Sequence, residues 1–154
     1  MRFDSTVIFV EEIQRAKKFY TEILEQHIVH DFGRNIIFQS GIAIWEVDKN
    51  HCITKKLNTA DKNSNRFELY FEHHDIKAIE EKLTEQNIRF LHRRQQEPWG
   101  QQTIRFFDPD NHLIEVGEPL SCFISRMYKN GMTIEQINEK THVAVETIKK
   151  LIAK

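Results

Sequence analysis

The chain has 154 residues, with 22 Lys and Arg against 23 Asp and Glu, a formal net charge of −1, and 40% hydrophobic residues. That balance suits one folded domain with a sizeable core rather than a disordered segment, and near-neutrality gives no general attraction to nucleic acid. The longest strongly apolar run, Val7 to Val10, falls far short of the ~18 residues of a membrane span, and no secretory signal opens the sequence.

Residues 5–10 are β-branched and aromatic, as in a buried strand. Ile13, Ala16, Phe19, Tyr20 and Ile23 recur at helical spacing behind Glu11 and Glu12, whose charge suits a helix N-terminus. Three short strand patterns follow over residues 27–32, 35–39 and 42–47, punctuated by Gly33 and Gly41 as hairpin turns require. Residues 49–65 are polar and read as a linker. The order then repeats. A strand spans 67–72, Ile76, Ile79 and Leu83 mark a helix, and strands follow over 88–92, 102–107 and 113–117. Asp108-Pro109-Asp110-Asn111 is a turn signal in which Asn suits the left-handed region. A single constant shift sets Glu12-Ile13 over Asp75-Ile76, Thr21-Glu22 over Thr84-Glu85 and Ser5 over Glu68. With a different loop length, Glu46 falls over Glu115. These repeats define modules over 1–48 and 66–118 within a domain of residues 1–120.

Residues 121–154 form a helical extension with six basic residues against three acidic ones. Thr133 and Gln136 make a capping-box pattern, and two short amphipathic helices flank Thr141-His142-Val143. The extension is similar to a short helix-turn-helix without the usual glycine in its turn. A helical appendage is the preferred reading, and a DNA-contacting tail the weaker one. Cys52 and Cys122 fit neither a CxxC spacing nor a disulfide framework, as expected of thiols in a reducing cytoplasm.

Residues 4–20 (DSTVIFVEEIQRAKKFY), 67–72 (FELYFE), Pro98-Trp99-Gly100 and 106–116 (FFDPDNHLIEV) resemble the vicinal oxygen chelate superfamily, which contains glyoxalase I, bleomycin-resistance proteins, fosfomycin-resistance transferases and extradiol dioxygenases. The resemblance implies an α+β fold with two βαβββ modules forming a cupped mixed sheet, a small-molecule ligand inside the cup, and a homodimer. It also implies metal-ligand positions at Ser5, Glu46, Glu68 and Glu115. Ser5 and Glu68 stand where metal-using members carry histidine or glutamine, so Glu46, Glu68 and Glu115 are the candidate metal ligands.

Three carboxylates in one cavity repel one another, and must bind a cation, hold a proton or spread apart. Oxygen donors suit Mg²⁺, Mn²⁺ or Ca²⁺; Ni²⁺, Zn²⁺ or Co²⁺, or no metal at all, are the alternatives. The candidate chemistry is chelation of two adjacent substrate oxygens, with Glu115 as the catalytic proton carrier. Ser5, His30, Trp45, Tyr70, Trp99 and Phe106 are candidate substrate-binding residues. Alternation along 67–71 also permits the reading in which Glu68 faces solvent. His73 and His74, adjacent at a strand end, point apart and are read as loop surface, as is His112. No GxGxxG, GxxxxGK[ST], GxSxG or HExxH occurs, which leaves nucleotide-binding and common hydrolase readings without support. The sequence therefore suggests a cytoplasmic glyoxalase-like protein performing metal-assisted lyase or isomerase chemistry. The alternatives are a non-catalytic binder of bleomycin-resistance type and, more weakly, a ligand-sensing regulator with a DNA-contacting tail.

Overall fold

In a computed structural model that describes residues 5–51 and 68–153, each sequence repeat folds as a four-stranded mixed sheet. Cys52, Phe67 and the linker beyond His51 lie outside the described residues. The described residues divide into two compact units, residues 5–51 with 108–112 and residues 68–107 with 113–153.

In the first unit β1 (Thr6–Phe9) runs into α1 (Ile13–Lys18), which widens into a π-helical turn over Phe19–Ile23. Strands β2 (Ile28–Asp31), β3 (Asn35–Phe38) and β4 (Ile42–Trp45) follow, giving the sheet order β1-β4-β3-β2. β1 and β4 pair in parallel, as a strand followed by a helical crossover requires, while the hairpin neighbours are antiparallel. Ile8, Ile36, Phe38 and Ile44 are buried, as are Ile13, Ala16, Phe19 and Tyr20 of the helical segment. Glu12 caps α1, accepting from Gln14 N at 2.8 Å and Arg15 N at 2.6 Å. Residues 108–112 complete this unit: Arg15 pairs with Asp110 at 2.6 Å and Tyr20 OH donates to Asp108 Oδ2 at 3.1 Å. Asn111 adopts a left-handed φ of 68°, as the turn signal anticipates.

The second unit repeats the plan with β5 (Leu69–Glu72), α2 (Ile76–Glu85), β6 (Phe90–Gln96), β7 (Gln102–Phe107) and β8 (Leu113–Gly117) in the order β5-β8-β7-β6. Asp75 caps α2 through Ala78 N at 3.0 Å. α2 lies against β6 and β7, and Ile76 and Leu83 are buried together with Ile104, Phe106, Ile114 and Val116. The extension contains three helices rather than two: α3 (Leu120–Lys129), α4 (Ile134–Thr141) and α5 (Val145–Ile152). Phe123, Ile124, Met127, Ile137 and Ile148 form their shared core. The Thr133 capping box closes in both directions. His142, at φ 58°, takes the left-handed position that glycine usually fills at such a turn. Among the described residues no helix is long and apolar enough to cross a membrane.

Candidate functional site

Side chains alternate along a strand, so residues in register across neighbouring strands share a face. Tyr70 of β5, Glu115 of β8, Arg105 of β7 and His92 of β6 are successive register partners across the whole second sheet. They stand on the face opposite the apolar one covered by α2. Glu68, two residues before Tyr70, joins them through its ion pair with Arg105 while remaining exposed like Tyr70, as the solvent-facing alternative for that strand expects.

Arg105 is the hub of this face. Its Nε donates to Glu68 Oε2 at 2.9 Å and its Nη1 to Glu97 Oε1 at 2.9 Å. Its Nη2 forms an ion pair with Glu115 Oε2, although that oxygen accepts no aligned hydrogen bond. Nη1 also lies 3.1 Å from His92 Nε2. Because guanidinium only donates, this nitrogen must be the acceptor, and His92 Nδ1, 2.9 Å from Arg93 O, carries the proton. Thr103 Oγ1 donates to Glu97 at 2.9 Å. Three carboxylates thus share one guanidinium.

The electrostatic consequence falls on the most enclosed of them. Glu115 is only 4% exposed. Burial pushes its carboxyl up to about 7; Arg105 opposes the rise, and Glu68 and Glu97 add to it. Glu97 moves the other way: burial acts to raise it, but the hydrogen bonds from Arg105 and Thr103 hold it below the usual range. One acid of the cluster is therefore poised to exchange a proton near neutrality while another stays ionised.

Beside Glu115 runs a second polar chain. Gln101 donates through Nε2 to Tyr70 OH at 2.9 Å and to Glu118 O at 2.8 Å, and it accepts from Trp99 Nε1 at 3.0 Å. A Cβ on Gly117 would lie 2.6 Å from Gln101 Nε2 and 2.9 Å from Tyr70 OH, so this network needs the missing side chain. Glu118 pairs with Arg126 of α3 at 2.5 Å, and Arg126 also donates to Gly100 O at 2.8 Å, which ties the Pro98-Trp99-Gly100 turn to the helical extension.

The remaining candidates fall elsewhere. His73 N donates to Gly117 O as Val10 N donates to Trp45 O. This correspondence keeps Ser5 as the counterpart of Glu68 but makes Ala43, not Glu46, the counterpart of Glu115. Glu46 instead serves the first unit: its Oε2 accepts from Ile13 N at 2.9 Å at the start of α1, and its Oε1 from Arg34 at 2.9 Å. Ser5 is half-buried. Trp45 packs edge-on against Phe9 and His51, and His30 stacks on Phe32. Phe106 is fully buried on the α2 side of its sheet, which makes it core. Tyr70 and Trp99 remain exposed. His73 bonds Asp75, and His74 Nδ1 meets Cys122 Sγ at 3.0 Å. His112 is half-buried rather than free surface: its Nδ1 lies 2.8 Å from Asp108 Oδ2.

As metal ligands, the residues present do not fit. Both oxygens of Glu46 are engaged, and Glu68 and Glu115 face a guanidinium that already supplies the positive charge. Among the described residues no group of three or more His, Cys, Asp or Glu is arranged to hold an ion. Sequence reasoning missed Arg105, Glu97, His92 and Gln101. For Arg105 a signal existed, since it is the lone charge in the otherwise uncharged run Thr103-Ile104-Arg105-Phe106-Phe107.

Comparison with known proteins agrees with this architecture. A family model described as a glyoxalase-like domain matches residues 3–121. No curated protein matches the chain. Among solved structures, a protein of unknown function from Agrobacterium tumefaciens is 35% identical with a TM-score of 0.64, covering 78% of this chain and 95% of that one. A lactoylglutathione lyase from the same species is 17% identical with a TM-score of 0.55, over 76% of this chain and 92% of that one. The fosfomycin resistance protein FosX from Mesorhizobium loti is 18% identical with a TM-score of 0.55, over 75% and 89%. With the paired βαβββ units and the family match over most of its length, the chain belongs to the glyoxalase-like domain family of the vicinal oxygen chelate superfamily.

Proposed function

We propose that this protein acts on a small molecule bearing two adjacent oxygens, with Glu115 moving a proton to or from the carbon beside them in lyase or isomerase chemistry. The observation that carries this reading is the enclosed Glu115 carboxyl, held near neutrality on the polar face of the second sheet. A general base works best when its pKa lies close to the operating pH, and proton transfer by such a group contributes about 10²–10⁴-fold to a rate. The positive charge beside the carboxyl comes from Arg105. A cytoplasmic homodimer is the assembly we expect.

Deuterium exchange tests the chemistry. In D₂O, proton NMR follows the carbon-bound hydrogens of hydroxyacetone and of the hemithioacetal of methylglyoxal and glutathione. The protein should wash out signal from at least one probe, and Glu115→Gln should slow that by about 10²-fold or more. Exchange no faster than in buffer for both probes would end the catalytic reading. A second reading, a non-catalytic binder, is favoured by the exposed Tyr70, register partner of Glu115, and by the exposed Trp99 joined to Tyr70 through Gln101. It predicts saturable quenching of Trp99 fluorescence by an aromatic ligand without turnover.

A further inference from the structure

The turn between β6 and β7 supplies two parts of the polar face of the second sheet. Glu97 opens it and accepts from Arg105, and Trp99 within it donates to Gln101, which in turn reaches Tyr70. Inside the turn, Gly100 N donates to Glu97 O and Glu97 N to Gln101 O, both at 2.8 Å. A further anchor comes from α3. Arg126 donates through Nη2 to Gly100 O at 2.8 Å and to Glu118 Oε2 at 2.5 Å, and through Nε to Glu118 Oε1 at 3.2 Å. Glu118 Oε2 also accepts from Gln102 N at 2.8 Å, where β7 begins. One guanidinium therefore grips both a carbonyl inside the turn and the carboxylate that holds the strand leaving it, as a planar fork of donors can. The Glu118 side chain is only 10% exposed, so this ion pair is weakly screened. Gly100 is buried at φ 97°, and a Cβ there would run into Met127 Cε, so α3 lies directly against the turn.

Resting on the reading of this face as the site, we propose that Arg126 is a positioning residue: it couples the helical extension to the β6–β7 turn, and so sets where Glu97 meets Arg105 and how firmly Trp99 is held. The extension is then a working part of the site. Without Arg126 the turn loses its tie to α3, and Glu97 slackens against Arg105. The guanidinium is left to Glu68 and Glu115, and one like charge leaves their neighbourhood. Both changes favour ionised Glu115. Tyr70 and His92, the other titratable groups in register on this face, stay in place on β5 and β6.

The test uses the full chain in a Trp45→Phe background, which leaves Trp99 as the single tryptophan. It needs no substrate, so it is read whether or not Glu115 transfers a proton. Acrylamide quenching of Trp99 and the carboxyl ¹³C NMR titration of Glu115 are measured for this parent, for Arg126→Gln and for Ile148→Val. Arg126→Gln should raise the quenching constant about twofold as the turn loosens. It should also lower the Glu115 midpoint by about 1 pH unit. Ile148→Val, which thins the core under α3 but keeps Arg126, should move neither. Either readout unmoved in a folded Arg126→Gln protein overturns the proposal, as does an equal response to Ile148→Val. A parent midpoint in the ordinary carboxylate range counts against the catalytic reading alone, because the proposal rests on the difference between variants. Should Arg126→Gln fail to fold, Arg126→Lys decides by the same readouts. It keeps a cation beside Glu118 without the fork, so a smaller change in the same directions supports the proposal and no change overturns it.

Discussion

Glu115 carries its proton further up the pH scale in the folded chain than an ordinary carboxyl, to about 7 from 4.5. The folded state therefore binds more protons than the unfolded state between those values. The stability that this proton contributes is fully present below about pH 4.5 and is lost as pH rises through about 7. His112 acts in the same direction at higher pH: burial opposes its charge, but Asp108 holds its pKa above the ordinary 6.5. Tm should accordingly fall from pH 5 to pH 7.5 in the wild type, and Glu115→Gln should remove the part of that fall below pH 7 while leaving the His112 part. An unchanged slope in the variant would contradict the placement of the carboxyl. Asp108 is another buried acid with many partners. It accepts from Asp110 N, His112 N, Tyr20 OH and His112 Nδ1. Asp108→Ala strips all four at once and should cost ~2–4 kcal/mol in urea unfolding, since buried donors lose a charged acceptor.

At the scale of elements, two turns make opposite demands on backbone and side chain. His142 bears a steric cost in the left-handed region between α4 and α5, and His142→Gly should stabilise the chain by ~0.5–1 kcal/mol, measured by denaturant midpoint. Gly117 at the end of β8 has the reverse problem. Gly117→Ala would push on Gln101 and Tyr70 and should cost ~1–3 kcal/mol. These elements also mark what can be read from the sequence. Helical and strand periodicities yield α1, α2 and all eight strands, and the Thr133 capping box is plain in the letters. The pairing of Glu46 with Glu115 goes astray because strand equivalence depends on register, and unequal loops hide register from letter matching. Arg105 escapes attention as a hub because its three carboxylate partners lie on a neighbouring strand, just before the opening strand and in a turn. α3 is missed although Phe123, Ile124 and Met127 have helical spacing after Pro119, because its apolar face is completed only by α4 and α5.

For the whole molecule, the extension behaves as a small core of its own within the second unit. Ile148 and Ile137 are fully buried there. Ile148→Ala should therefore cost ~2–4 kcal/mol. Hydrogen exchange should show the loss of protection concentrated in α3, α4 and α5, with β7 and β8 less affected. The first unit has a different peculiarity: it is not one stretch of sequence, because residues 108–112 belong to it. On the ribosome its last piece emerges only after β5, α2, β6 and β7 have been synthesised. The N-terminal half must wait, with Tyr20 lacking its acceptor and Arg15 its counter-charge, until the hairpin tip arrives. A nascent chain stalled before residue 108 should accordingly be cut by protease within its first unit, whereas one stalled far enough beyond residue 112 should resist.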